Sequence, residues 1–245
     1  AVISSSDSFG ISTRSALDHC MQARKGLDSL EPKCRDPREK AAWADCVELY
    51  EDAILHINKS VESTSGSDSQ TWLSTALTNV ETCKSGFVDF GITGNVLPLI
   101  SKDDNVSALI SNALALNRDH ADDYGGRSYK NGGFPKWVSP RARKLLQSTN
   151  IPADVVVAKD GSGNYTTVSA AVAAVGKNSG KTLVIHVKQG TYSENVVIGN
   201  GLTNIMLVGD GIGKTIITGS RSNGGGSTTF NSATFAVTGS GFIGK

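Results

Sequence analysis

At 245 residues the chain can hold one or two domains, each large enough to bury its own core. A formal charge of +1 gives no support for a nucleic-acid or acidic partner. No run of 18 or more apolar residues occurs, so no membrane-spanning helix is expected.

The first half reads as helical. A weak stripe of Leu17, Cys20, Met21, Arg24 and Leu27 is followed by a strong one over residues 41–62: Trp43, Val47, Tyr50, Ile54, Ile57 and Val61. Asp45, Glu48, Glu51, Asp52 and Lys59 are placed on the opposite, solvated face. A Ser/Gly/Asp break over 63–69 ends with Ser67 and Gln70 at capping-box spacing. Further stripes are Leu73, Ala76, Leu77, Val80, Cys83, Phe87 and then Val106, Leu109, Ile110, Ala113, Leu116. Four amphipathic helices with modest connections predict an antiparallel four-helix bundle.

All four cysteines lie in this half. No C-x-x-C pair is present, and His19 and His56 lack partners at ligand spacing, so disulfides read better than zinc, with buried free thiols the alternative. Cys46 and Cys83 fall on apolar faces of adjacent helices and suit a staple, and Cys20 and Cys34 are then the remaining pair. Asp103-Asp104 and Asp122-Asp123 are adjacent carboxylates that point apart on a helix and read as solvated surface or caps. No constellation for catalysis is visible here.

Residues 121–150 lose all periodicity and carry Gly125-Gly126, Gly132-Gly133, Pro135 and Pro140, so they read as linker or exposed loop. Within them, Arg141, Arg143 and Lys144 make a basic tract that reads as a processing site between two unlike domains. Downstream, 166–175 reads as a short helix. Strands are expected at Leu183–Val187, 192–198, 205–208, 215–217 and 234–237, separated by Gly and Asn. A sandwich, a barrel and a parallel β-helix all fit this spacing, and the few charges within the runs favour buried parallel strands. Gly211-Ile-Gly213-Lys214-Thr215 imitates a phosphate loop, but Val208 stands where its first glycine is needed and Thr-Ile-Ile-Thr follows instead of a helix. Asp160 and Asp210 sit in Gly-rich turns and read as turn formers rather than a glycosidase pair.

Two resemblances join these observations. Ala42-Trp-Ala-Asp-Cys46-Val-Glu-Leu-Tyr50, Thr71-Trp-Leu-Ser-Thr-Ala-Leu-Thr-Asn79 and Glu81-Thr-Cys83 resemble the plant invertase and pectin methylesterase inhibitor family, a disulfide-bearing four-helix bundle. The likeness departs at the start, where that family's N-terminal hairpin with its own cysteine pair is not evident. Gly190-Thr-Tyr192-Ser-Glu194 matches the G-x-Y-x-E signature of pectin methylesterases, as do the stretches around Asp160-Gly-Ser-Gly163, Asn204 to Gly211 and Gly226 to Ala233. Arg143-Lys144-Leu145-Leu146 resembles the basic tetrad at which subtilisin-like proteases cut plant pectin methylesterase precursors.

The resemblances imply two domains: a four-helix bundle pro-domain over 1–120, a linker with the processing motif over 121–150, and over 151–245 the N-terminal part of a right-handed parallel β-helix. They imply a precursor of an enzyme that hydrolyses methyl esters of homogalacturonan in the plant cell wall, with the helical domain as an intramolecular partner. The chain would then be secreted, with Asn58, Asn105 and Asn164 as glycosylation acceptors. In that family an aspartate attacks the ester, a second aspartate is acid and base, glutamines stabilise the oxyanion and an arginine positions the nucleophile. These belong to Q-A-V-A, Q-D, D-F-I-F-G and L-G-R-P-W segments, none of which occurs in these 245 residues. The chain is therefore expected to be an inactive part of a longer precursor. Thr229 is the one substrate-contacting position that carries over. No metal, cofactor, nucleic acid or membrane partner is implied. The alternative is an interaction protein whose bundle binds a pectin methylesterase or an invertase.

Overall fold

The computed structural model describes residues 5–92, 105–117, 140–148, 151–176 and 181–245. Asp103-Asp104 and Asp122-Asp123 lie outside them. The chain divides into two compact units, Ala1–Arg127 with Ser222–Ser232, and Ser128–Arg221 with Ala233–Lys245.

The first unit is built on α1 (Ser5–Asp28), α2 (Pro37–Glu62), α3 (Gly66–Asp89) and α4 (Asn105–Asn117). The weak first stripe proves to be a 24-residue helix that buries Thr13, Ala16, Cys20 and Leu27 at helical spacing. Helix α2 starts where Asp36 accepts from the amides of Arg38 and Glu39 at 2.8 and 2.9 Å, with Pro37 in the first turn where no amide is needed. Helix α3 is capped by Ser65, which accepts from the Asp68 amide at 3.3 Å, two residues before the expected Ser67. Ser67 lies inside the helix because the Gly66 backbone already follows helical geometry.

Each helix packs against two others, α1 on α2 and α4, and α3 on α2 and α4, closing a ring around one core. The core holds Leu49, Tyr50, Ile57, Leu73, Val80, Phe87, Val106 and Ile110. Trp43 Nε1 donates to the Leu27 carbonyl at 2.8 Å, and Arg24 bridges Asp28 and Glu51, tying α1 to α2. Cys46 and Cys83 form a disulfide between α2 and α3, closing a 37-residue separation that stabilises by roughly 3–4 kcal/mol in the chain-entropy view. Cys20 and Cys34, expected as a second pair, are instead free and buried. The Cys20 side chain lies in the helical core, where burial pushes its thiol up to about 12, while Cys34 Sγ sits 3.5 Å from the Leu30 carbonyl.

A second correction concerns α2. Asp45 and Asp52, expected on the solvated face, are 4% and 8% exposed. Asp52 accepts from Asn79 Nδ2 at 2.7 Å and lies 3.4 Å from His56 Nδ1. Both aspartates fall in register with Ala42 and Leu49, at the border of the apolar stripe.

In the second unit, residues 140–147, expected as loop, form helix α5 (Pro140–Gln147). The remaining elements are β1 (Val155–Val157), α6 (Val168–Val175), β2 (Leu183–Val187), β3 (Gly190–Ser193), β4 (Val196–Ile198), β5 (Ile205–Gly209), β6 (Thr215–Thr218), β7 (Phe235–Val237) and β8 (Ile243–Gly244). The strand expected over 192–198 is broken into β3 and β4. Every ladder is parallel: β1-β2-β5-β8, β3-β6 and β4-β7. From β2 to β8 the chain visits the three sheets in turn, repeats the round and returns to the first, so each strand lies on the strand one circuit earlier. Inward side chains stack as a result: Val157, Ile185, Val187, Tyr192, Val196, Ile198 and Ile205 form one core with Val168, Ala171 and Val172 of α6. The circuits lie so close that a Cβ on Gly239 would fall 1.9 Å from the Leu202 carbonyl oxygen.

Candidate functional site

The G-x-Y-x-E residues form a corner of the second unit. Gly190 opens β3 at a φ of 152°. Tyr192 is buried in the core and its phenol donates to the Lys188 carbonyl at 2.9 Å. Burial first, and then the charges of Asp160, Asp210 and Glu194, raise this phenol above its usual range, so it stays a neutral donor. The Glu194 carboxylate accepts from the amides of Val168 and Ser169 at 2.9 and 2.8 Å. Those amides are the unpaired donors at the N-terminus of α6, and Thr167 Oγ1 takes a third, from Ala170. The signature is thus a clamp: tyrosine anchors β3 in the core, and glutamate holds α6 over the start of the coil.

Beside it lies an open concavity of about 620 Å³ lined by Lys159, Asp160, Lys188, Gln189 and Asp210. Its charged groups are already hydrogen-bonded within the second unit. Asp160 accepts from the amide and hydroxyl of Ser162, Lys159 Nζ donates to the Thr191 carbonyl, and Lys188 Nζ to Ser162 Oγ. Asp210 accepts from the Gln189 amide at 2.6 Å and lies 2.7 Å from His186 Nε2. The Ser162 contacts hold Asp160 below the usual carboxylate range, and the His186 hydrogen bond does the same to Asp210. A general acid needs the opposite shift, so neither carboxyl is suited to protonate a leaving group. The phosphate-loop imitation is equally resolved: Gly211 and Gly213 take positive φ in a turn, and Lys214 leads into β6, with no helix to present amides to phosphate.

Thr229 lies in the Ser222–Ser232 segment of the first unit, apart in sequence from the corner. Its hydroxyl donates to Asp89 at 2.6 Å. Neighbouring Thr228 and Asn231 both donate to Asp45. Sequence reasoning missed Asp45 and Asp89. The available signal was the seven-residue spacing of Asp45 and Asp52, which places them on one face with Ala42 and Leu49. Arg143, Lys144, Leu145 and Leu146 lie on α5, with Lys144 exposed and the other three half-buried. Lys245 Nζ donates to the carbonyls of Leu146 and Ser148 at the end of that helix. Asn58, Asn105 and Asn164 are all exposed, though Ser60 of the first acceptor triplet is buried and bonded to the His56 carbonyl. Among the described residues no group of three or more His, Cys, Asp or Glu could hold a metal ion, and no helix is long and apolar enough to cross a membrane.

Comparison with known families matches residues 3–116 to the plant invertase/pectin methylesterase inhibitor family and residues 154–245 to the pectinesterase family. Pectinesterase 2 of Citrus sinensis is 52% identical over 242 residues, 98% of this chain and 46% of that protein. Probable pectinesterase/pectinesterase inhibitor 17 of Arabidopsis thaliana is 51% identical over 245 residues, 99% of this chain and 46% of that protein. The chain thus spans about half the length of the curated relatives it matches. Among solved structures, pectin methylesterase from carrot overlaps 40% of this chain and 31% of its own, with 51% identity and a TM-score of 0.38.

Proposed function

Since the two halves of this chain belong to the plant invertase/pectin methylesterase inhibitor and pectinesterase families, we propose that it is part of a secreted pectinesterase precursor. The whole protein hydrolyses methyl esters of cell-wall homogalacturonan: water adds across the ester, leaving a carboxylate on the polymer and releasing methanol. The observation that carries this reading is the pectinesterase match over 154–245, with its Gly190, Tyr192 and Glu194 clamp, downstream of an inhibitor-type helical domain. The relatives named pectinesterase/pectinesterase inhibitor support the same order of domains.

In this reading residues 1–120 are the pro-domain, 121–150 the linker and 151–245 the first coils of a right-handed parallel β-helix. The parallel ladders and the repeated visit to three sheets support that architecture. Thr229 contacts the pectin chain, and the catalytic carboxylates lie in segments that these residues do not contain. A subtilisin-like protease cuts at Arg143-Lys144-Leu145-Leu146, and the helical domain restrains the enzyme until it does. The Cys46–Cys83 disulfide and the exposed Asn58, Asn105 and Asn164 suit a secreted protein of the plant cell wall.

The test is to express the longer chain encoded by the native transcript and measure methanol release from highly esterified homogalacturonan before and after cleavage at the tetrad. Release that rises on cleavage is the expected result. No release in either form, combined with inhibition of a separate pectin methylesterase, overturns the reading in favour of an interaction protein.

A further inference from the structure

Two polar side chains at one end of the helical unit are buried without the partners that burial requires. Ser69, in the first turn of α3, is 1% exposed. Its amide donates to the Ser65 carbonyl and its own carbonyl accepts from Ser60 Oγ, but its hydroxyl has no partner among the described residues. Asn117, at the end of α4, is also 1% exposed. Its Nδ2 donates to the Gly66 carbonyl at 2.7 Å and to Gln70 Oε1 at 3.1 Å, which uses both amide protons. Its Oδ1 accepts from none of the described residues. Buried polar atoms of native proteins are nearly always hydrogen-bonded, so each of these atoms is placed to receive a partner from outside the bundle.

Both residues line the same cavity, about 390 Å³ in volume, between α1, the turn from α2 to α3 and the end of α4. That volume lies at the lower end of the roughly 300–1,000 Å³ of small-molecule sites and suits a single sugar ring. Phe9 and Val61, both half-buried, give it an apolar wall. Arg14 is the one charged residue that lines it; the side chain is exposed and has no ion-pair partner among the described residues. Gly10 also lines it and leaves room, since a Cβ there would meet nothing within 4 Å.

These groups select a class of ligand. Arg14 offers a planar fork of N–H donors that fits a carboxylate. Asn117 Oδ1 only accepts, so the ligand must bring a donor to it, whereas Ser69 Oγ donates or accepts and suits a hydroxyl. Sulfate brings acceptors alone and leaves Asn117 unmatched, and an apolar acid leaves both buried side chains unmatched. A ring that carries hydroxyls, a carboxylate and a C–H face for Phe9 meets them all. We propose that this cavity binds a sugar acid, with its carboxylate on Arg14, its hydroxyls on Ser69 and Asn117 and its C–H face on Phe9. Galacturonate, the unit that ester hydrolysis exposes, is the probe; that choice rests on the proposed function, whereas the sugar-acid class does not.

Chemical-shift titration of the isotope-labelled 245-residue chain tests the proposal. Galacturonate should shift the amides of Arg14, Ser69 and Asn117 in a saturable way, and galactose and sulfate should bind roughly tenfold or more weakly, since each lacks part of the match. Arg14→Gln should weaken galacturonate about tenfold, and Gly10→Leu should abolish saturation by filling the cavity, with helical circular dichroism unchanged in both. Position 10 has room and Arg14 is exposed, so neither substitution removes a core contact. Trigalacturonate that binds as tightly as the monomer, or more tightly, supports the site as one for the end of a polymer chain; binding of the monomer alone supports it as one for the free acid. Glucuronate binding in place of galacturonate supports the site and counts against the pectin reading, which methanol release by the longer chain tests separately. Equal binding of galactose or sulfate, no saturable shift with any sugar acid, or binding unaffected by Gly10→Leu overturns the proposal.

Discussion

Two carboxylates show how much a single residue depends on its donors. Glu194 meets the amides of Val168 and Ser169 at a helix N-terminus, where negative charge is favoured. Glu194→Ala should cost about 1–2 kcal/mol in urea denaturation, and Glu194→Gln should recover part of that because an acceptor remains. Asp45 is the opposite case. Burial pushes its carboxyl up to about 6, the Thr228 hydrogen bond pulls it back in part, and the charge of Glu48 adds to the rise. In the unfolded chain the same group titrates near about 3.9. Between these values the folded protein binds more protons than the unfolded one, so this residue's contribution to stability falls as pH rises from about 4 to about 6. The protonated group carries no such penalty below that window, and the full penalty is present above it. Asp45→Asn should flatten that part of the pH–stability curve relative to wild type, measured by denaturation midpoints across the window. Parallel curves for the two proteins would show that Asp45 titrates normally.

At the scale of elements, α5 is a helix that cannot stand by itself. Its eight residues, Pro140–Gln147, are too few to be stable alone, since nucleation costs more than so short a run of hydrogen bonds returns. The Lys245 ammonium satisfies two carbonyls at its C-terminal end, the end where a cation is favoured. A protease that binds an extended segment across Arg143 to Leu146 must first unwind this helix, so cleavage should follow its opening. Lys245→Ala should therefore speed cleavage at the tetrad several-fold, while Arg143→Ala with Lys144→Ala should abolish it through loss of recognition. A time course with a subtilisin-like protease of dibasic preference, read by mass spectrometry of the products, distinguishes the two effects. Identical rates for Lys245→Ala and wild type would remove α5 as a gate. The helix itself was illegible in the sequence, because the Gly- and Pro-rich stretch before it hides an eight-residue amphipathic run. The short β1 and β8 escaped for the same reason of length, three and two residues with no alternation to read.

For the whole molecule, what could be read was whatever depends on near neighbours. Periodicity near 3.6 placed the stripes of α2, α3 and α4, and β-branched runs between Gly and Asn placed most strands. What could not be read depends on contacts remote in sequence. Asp45 meets Thr228 across 183 positions, so no local pattern names its partner. The expected pairing of Cys20 with Cys34 fails, because whether two sulfurs meet depends on where α1 and the turn after it bring them, which no local pattern shows. The site divides in the same way. Gly190, Tyr192 and Glu194 could be picked out by their short spacing, but the bonds of Glu194 to the Val168 and Ser169 amides, 26 and 25 positions away, could not, and the proposed reading places the ester-hydrolysing carboxylates in segments that these 245 residues do not contain. The acidic groups near the clamp, Asp160 and Asp210, have lowered proton affinity, the first held by Ser162 in its own turn and the second by His186 and the Gln189 amide. Hydrolysis needs a nucleophile, a proton donor for the leaving methanol and an oxyanion partner at once, and losing the full set removes the rate enhancement rather than trimming it. The 245-residue polypeptide should therefore release methanol from esterified homogalacturonan no faster than buffer, even when folded and cut at the tetrad. The longer chain assayed beside it is the positive control. Release by the short polypeptide above the buffer rate, retained on further purification, would mean that catalytic groups lie within residues 151–245 after all.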